Sequence, residues 1–460
     1  MTDRATSGER AERRAPGVGG APSTWRGAPV IGSLLEFRAD QIGTLERIAR
    51  RGSPVAFRIL NQTLHLVSDP EHVEHVLIGG ARHYGKQTVG YWNLQKILGN
   101  GLLTSDGAFW RRQRRIAQPV FHRPRVESFG AIMARAAAEM ADGWRDGQRI
   151  ELVREMMRVT LRIAGLSLLS RDISADADAF GRAIKLGLEH VNYVKETPWA
   201  PPEWVPTRRN RRFRAAVGEL DRVIGAIIAD RRGADQGSDD HLATLMRARD
   251  PETGERMSDE QLRDEIMTII VAGHETTGAA LTFTFDLLAR HRPVEERLRD
   301  ELAAVVGDRL PTIADLRALT QNERAILEAM RLYPPAWMFA RSVDADDDIL
   351  GYPVRRGDWV LLSPWVTQRR ADLWPDPFRF DPDRFAPDRT AGRHRYAYFP
   401  FAGGQRKCIG DRFALTEARL VLAAVLQRAR LSALTPKPPV PDPQVTLRPK
   451  GDLPMHVTKL

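Results

Sequence analysis

The chain holds one cysteine, Cys408, in 460 residues. A lone thiol excludes an intrachain disulfide and any zinc or iron–sulfur site built from several cysteines, and it fits a reducing compartment. Long apolar runs are also missing: no stretch reaches the ~18 apolar residues of a membrane span. The N-terminus, MTDRATSGERAERRAPGVGGAP, is polar, charged and rich in Gly and Pro, and lacks the apolar core of a signal peptide. Zinc-finger spacing, an RNP-like motif and regular repeats are absent too. These absences predict a soluble, cytoplasmic protein with no membrane anchor and no nucleic-acid partner. Residues 1–28 read as a disordered leader ahead of one domain over 29–460.

What is present is a globular composition, with 42% hydrophobic and 28% charged residues, and a basic balance of 69 Lys and Arg against 59 Asp and Glu. The arginines cluster in WRRQRR at 110–115 and RRNRRFR at 208–214. Such runs read as solvated helix faces or as a surface for an acidic partner. Short β-like runs (VAFRIL, TLHLVS) occupy the region before residue 80. A mostly helical pattern follows over 109–290, broken near Pro119, at 197–206 and at 231–240. Helical runs continue over 294–333, and PPAWMFARSV, DILGYPV and DWVLLSP then alternate like short strands. The fold class expected is mainly α with a small β-rich part, an α+β arrangement in one domain.

The longest helix signal begins at Ser258, which with Gln261 has the spacing of a capping box. It can run to about Arg290, roughly 32 residues or ~48 Å at 1.5 Å per residue. Its centre, IIVAGHETTGAALTF, is apolar nearly all round and should be buried. Gly273, His274, Glu275, Thr276, Thr277 and Gly278 at that centre are poor or costly there. Two readings stand: a local distortion with a use, or a kink with a Thr hydroxyl bonded back one turn and Glu275 in a structural salt bridge.

Cys408 lies in FAGGQRKCIG, over 401–410, directly before the helix-like run DRFALTEARLVLAAVLQRA. A helix N-terminus and the cations Arg406 and Lys407 favour a thiolate, the form that binds metal. Gly404 and Gly410 permit a tight turn whose N–H groups can point at the sulfur, with Phe401 shielding it. An inert buried thiol is the other reading of the cysteine alone.

FAGGQRKCIG resembles the F-x-x-G-x-R-x-C-x-G haem-binding signature of the cytochrome P450 family, through Phe401, Gly404, Arg406, Cys408 and Gly410. The family often has Gly where this chain has Ala402. Further segments resemble it in the same order: WRRQR at 110–114, AGHETT at 272–277, EAMR with Glu328 and Arg331, WPDP at 374–377 and PDRF with Arg384. Gln368 stands where the family often has His, a departure expected to be local in effect.

The resemblance implies the cytochrome P450 fold and haem b ligated by Cys408, with O2 as co-substrate. Thiolate ligation pushes electron density to iron and favours O–O cleavage. It also implies that Arg114, Arg341 and Arg406 hold the haem propionates with Trp110, and that Glu328, Arg331 and Arg384 form a structural network. Glu275 and Thr276 match the family's acid–alcohol pair, which holds dioxygen and relays protons, and His274 should point away. The 88–103 loop with Tyr91 and Trp92, and residues 186–193, 269–276, 336–339 and 453–455, are expected around an apolar substrate. Arg111, Arg112 and Arg115 are expected on the face where a ferredoxin or flavodoxin docks to deliver electrons from NAD(P)H. No fused reductase is expected. The implied activity is monooxygenation of an apolar molecule, by hydroxylation of a fatty acid or terpenoid-like molecule or by epoxidation. A peroxide-driven haem–thiolate enzyme, a haem-based sensor and a non-haem helical scaffold are the alternatives. The acidic run at 344–350 lacks the spacing of a calcium loop and reads as a solvated hairpin.

Overall fold

The protein is seen in a computed structural model that describes residues 23–173, 177–233, 241–250 and 252–460. Its strands are β1 (Val55–Ile59), β2 (Gln62–Val67), β3 (Tyr84–Gly85), β4 (Arg149–Glu151), β5 (Phe339–Val343) and β6 (Asp347–Asp348). They continue with β7 (Pro353–Val354), β8 (Trp359–Leu362), β9 (Ala429–Ala433), β10 (Pro441–Pro443), β11 (Leu447–Pro449) and β12 (Pro454–Lys459). The main sheet has the order β1-β2-β8-β5-β3, and a smaller one β4-β12-β9. The β1–β2 hairpin aligns Val55 with Leu66 and Phe57 with Leu64, so apolar side chains stack on one face. Phe57 and Leu66 then join Phe283, Trp337 and Trp365 in a core beneath the sheet.

Most of the remaining chain is helical. The central helix runs Asp259–Arg290, and its 32 residues start from a complete capping box between Ser258 and Gln261, as the spacing predicts. It is buried along its length and packs against helices Leu152–Leu169, Thr320–Leu332 and Asp411–Arg428. Of the two readings of its centre, the local distortion is not seen: the helix is continuous through Gly273 and Gly278. Thr276, Thr282 and Thr284 each donate to the carbonyl four residues back, at 2.6, 2.7 and 2.7 Å. That satisfies the hydroxyls without breaking the ladder.

Two expectations need revision or bounding. The expected leader ends too late: residues 1–22 lie outside the described residues, but Trp25 N–H donates to the Ala56 carbonyl at 2.8 Å and Ala56 N–H to the Ser23 carbonyl at 2.9 Å. Residues 23–28 therefore run beside β1, held by main-chain bonds that carry no composition signal. The break expected at 231–240 begins after the helix Arg208–Gly233, and residues 234–240 lie outside the described residues. Among the described residues, no helix is long and apolar enough to cross a membrane.

Candidate active site

The loop carrying Cys408 is shaped by backbone constraints. Cys408 N–H donates to the Phe401 carbonyl at 3.0 Å and closes the turn. Gly404 has φ +64°, and a Cβ there would lie 1.9 Å from the Leu77 carbonyl oxygen, so only glycine fits. Ala402 is also left-handed, at φ 56°. The family's glycine at this position thereby has a physical reason, and alanine pays a conformational penalty of about 1 kcal/mol. Gly410 N–H hydrogen-bonds the Cys408 sulfur, as expected for an N–H aimed at the sulfur.

Cys408 sits in a recess: its side chain is accessible, yet burial among surrounding atoms is the largest influence on its thiol and pushes it up. The cations act in the expected direction, Arg114 and Lys407 both favouring the thiolate together with the Gly410 N–H, but burial outweighs them. Lys407 is ion-paired with Asp411, whose own charge works against the thiolate. Burial therefore favours the thiol over the thiolate in the chain by itself.

Around this recess the arginines of the sequence reading do come together. Arg406 lies 3.6 Å from the Trp110 ring, donates to the Ser105 carbonyl at 3.0 Å and is ion-paired with Asp106. Arg114 donates to the Lys407 carbonyl at 3.0 Å and feels the Cys408 charge. Arg341, on β5, is buried and donates to the Tyr91 hydroxyl at 3.2 Å. A fourth cation, Lys86, was missed. It is buried, donates to the Leu103 carbonyl, and has its ammonium 5.0 Å from the Tyr91 ring. Burial first, and then Arg341, Arg406 and Arg114, push Lys86 well down, with Asp106 opposing. Three arginines and Lys86 gather here against two carboxylates, Asp106 and Asp411, a grouping that favours added anionic oxygens. No motif marks Lys86, which the turn after β3 delivers.

The central helix supplies the other wall. Ala272, Gly273 and Thr276 are only half-buried in a helix otherwise buried at its centre, and a Cβ on Gly273 would meet nothing within 4 Å. The helix thus presents one small-residue face to open space, with Thr276 beside it donating to the Ala272 carbonyl. His274 lies on the buried side, its Nδ1 2.8 Å from the Ile270 carbonyl, and burial lowers it to about 4. It points away, as expected.

Glu275 has partners the sequence reading did not identify. It accepts from the Thr446 hydroxyl at 2.7 Å and forms an ion pair with Arg448 on β11. Both donors come from the β10–β11 hairpin, which Trp337 Nε1 anchors through the Gln444 carbonyl at 2.9 Å. The structural salt bridge and back-bonded threonine left open by the sequence are both present.

The remaining segments divide. Glu328 and Arg331 are fully buried and paired at 2.7 Å, with Arg384 Nε 3.3 Å from Glu328. Gln368 is more than a local departure: its amide donates to the Met330 and Arg331 carbonyls at 3.1 Å and accepts from Phe399 N–H at 3.1 Å, tying this network to the cysteine loop. Trp92 is 47% exposed and Leu186 40%, so neither lines a closed cavity, while Leu453 and Met455 belong to the core. Arg112 pairs with Glu255 and Arg115 with Asp250 and Glu252. Of the three arginines expected to face an acidic partner, Arg111 alone has no acidic partner among the described residues. The run at 344–350 forms the β6–β7 hairpin, but Asp347 is not solvated: it lies 2.9 Å from His75 and His83 and accepts from Tyr84 at 2.7 Å.

Known proteins agree with this geometry. The family model described as Cytochrome P450 matches residues 22–454. Cyclooctatin synthase of Streptomyces melanosporofaciens is 36% identical, covering 93% of this chain and 92% of its own. Pentalenene oxygenase of Streptomyces avermitilis is 33% identical, covering 88% and 90%. The crystal structure of the cytochrome P450DA heme domain has a TM-score of 0.86 and 29% identity, covering 96% of this chain and 98% of that one. The family brings haem, oxygen-dependent monooxygenation, a hydrophobic substrate and redox partners. A single thiol in a recess, a surplus of cations beside it and a helix face bare of side chains suit such a group. The chain belongs to the cytochrome P450 family and is a haem-dependent monooxygenase.

Proposed function

We propose that the protein oxygenates a terpenoid hydrocarbon or alcohol. The observation that carries this reading is the small, apolar face of Ala272 and Gly273 at the centre of a buried helix, with Thr276 one turn on. A rigid polycyclic molecule needs room and apolar contact there rather than hydrogen-bond partners. Relatives named for cyclooctatin, cyclooctat-9-en-7-ol and pentalenene support the same class.

Bound haem supplies the activation of O2 and the oxygen insertion, with electrons received singly. Cys408 would ligate the haem iron, and Phe401 would shield its sulfur. Arg114, Arg341, Arg406 and Lys86 would neutralise the two propionates, with Trp110 supporting Arg406 through its ring. Thr276 would hold oxygen and ordered water by releasing its bond to the Ala272 carbonyl. Glu275 would pass protons inward, which requires it to leave Arg448 for the Thr276 side. The ion pair makes that departure the controlled step. We assign the source of electrons to NAD(P)H through a separate ferredoxin or flavodoxin system, with Arg111 in the docking face, and read residues 23–460 as one cytoplasmic haem domain.

The test is direct. The dithionite-reduced protein under carbon monoxide should give the strongly red-shifted Soret band of thiolate ligation. Pentalenene and cyclooctat-9-en-7-ol should shift the resting Soret band toward high spin and yield hydroxylated products with a ferredoxin, its reductase and NADPH. A Soret band at the position of His-ligated haem would overturn the ligand assignment. Turnover of fatty acids with no spin shift from either terpenoid would overturn the substrate class. Turnover with hydrogen peroxide at the same rate as with the redox chain would remove the need for the Glu275 relay.

A further inference from the structure

The helices Ala177–Glu196 and Arg208–Gly233 border a cavity of about 350 Å3 that is open to solvent and is lined in part by the 186–193 segment expected near the substrate. At ~30 Å3 of liquid volume per water molecule, it has room for far more than one ordered solvent. Its walls carry Arg208, Arg209 and Arg212 on one side and Leu186, Glu189 and His190 on the other, with the buried ring of Phe213 also lining it.

His190 is 3% exposed, and neither ring nitrogen has a hydrogen-bond partner. The nearest carboxylate, Glu203, stays 3.7 Å away and is engaged with Lys96 at 2.6 Å. The imidazole is held in place by stacking on Phe213, with ring centroids 4.0 Å apart and planes 16° from parallel. Buried polar groups without partners are rare, and each calls for a specific explanation.

The three arginines are exposed. Arg209 has its guanidinium 4.0 Å from the Tyr193 ring, but none of Arg208, Arg209 and Arg212 reaches a carboxylate among the described residues. Further along the same helix, Arg222 pairs with Glu219, and Asp221 pairs with Arg263. Arg208 and Arg209 also open a 26-residue helix that has no acidic residue in its first turn. Cations there add to the positive end of the helix dipole instead of compensating it. Glu189 is the one carboxylate on the wall, and its charge acts on Arg448 in the interior.

We infer that this cavity binds a small anion carrying a phosphate or carboxylate group, held by Arg208, Arg209 and Arg212 with His190 as a hydrogen-bonding partner. Guanidinium forks match such groups bidentately. Phe213 offers the apolar surface that an attached carbon chain would use. A free anion and the acid end of a longer molecule reaching toward the haem share this chemistry.

Calorimetric titration of the haem-loaded, full-length protein tests the site, with inorganic pyrophosphate and dodecyl phosphate as probes. Saturable one-to-one binding of at least one probe is expected. The Arg209→Gln/Arg212→Gln variant should bind it at least about tenfold more weakly, since each charge-assisted pair contributes on that order. Arg145→Gln/Arg149→Gln lowers the net charge equally, at exposed positions outside the cavity, and should stay within about twofold of the parent. His190→Phe keeps the ring stack, removes the ring nitrogens and should weaken binding severalfold, a second route if the double variant fails to incorporate haem. No saturable binding of either probe, or equal losses in the two double variants, would overturn the inference. A Soret shift with dodecyl phosphate alone identifies the acid end of a haem-directed molecule; tight pyrophosphate binding without a shift identifies a free anion.

Discussion

Replacing Arg448 by methionine removes the cation from Glu275 and leaves the carboxylate in place. Glu275 is 2% exposed and Arg448 19%, so the acid is the group left stranded. Breaking a buried ion pair from one side costs ~3–5 kcal/mol. The remaining bond from Thr446, at 2.7 Å, and the partial exposure of Arg448 put the expectation at the lower end, about 3 kcal/mol. Unfolding entropy of roughly 2 cal/mol/K per residue amounts to about 1 kcal/mol/K for a chain of this length, so the melting temperature should fall by about 3 °C. Glu275→Gln/Arg448→Met removes both charges and keeps the Thr446 bond. It should recover most of that loss, giving a coupling of about 2 kcal/mol between the two positions. The assay is thermal unfolding of the four proteins of the cycle, followed by far-UV dichroism and the Soret band together. In turnover, Arg448→Met should change the fraction of NADPH electrons lost to hydrogen peroxide, because the acid is freed from its anchor. A single variant within 1 °C of the parent, together with zero coupling, would refute the reasoning that this pair is a buried, energetically connected unit.

Further outcomes follow from the loop and from one buried acid. Ala402→Gly should stabilise the protein by about 0.5–1 kcal/mol, read as a higher melting temperature, because the φ of 56° no longer strains a Cβ. Gly404→Ala should abolish haem incorporation, measured by the Soret-to-protein absorbance ratio, since the Leu77 carbonyl cannot yield 1.9 Å of contact without moving the loop. Burial pushes Glu265 up to about 8, with the Asp264 charge adding and the Leu102 N–H opposing. An acid raised in the folded state contributes stability that is full below the unfolded value near 4.5 and lost as pH rises through about 8. Glu265→Gln should therefore match the parent at pH 4.5 and exceed it by a few kcal/mol at pH 8.5. Parallel pH–stability curves for the two proteins would contradict this.

How far the sequence could be read depended on how local each signal was. The capping box at Ser258 and Gln261 set the start of the central helix, because both hydrogen bonds join residues three apart. The cysteine turn was legible for the same reason: Phe401, Gly404, Cys408 and Gly410 interact within ten positions. Family spacing identified Arg114, Arg341 and Arg406, although 227 and 292 residues separate the first from the other two. Local chemistry misled where a third element intervened. Arg112 and Arg115 read as a free basic face, and Asp250, Glu252 and Glu255 neutralise them.

Only the tertiary structure brought in Lys86, Thr446 and Arg448. Lys86 joins the arginines because β3 pairs with β5 across the sheet edge, and β-pairing between distant segments leaves no mark in either one alone. Arg448 reaches Glu275 across 173 residues of sequence, carried by a two-stranded hairpin whose residues look like an exposed loop. Sequence by itself determined the family, the helix framework and the cysteine, since these rest on short-range bonding and on motif spacing. Which charges face each other, and so which group holds Glu275 in place, was decided by packing, because Coulomb energy depends on distance in space and not along the chain.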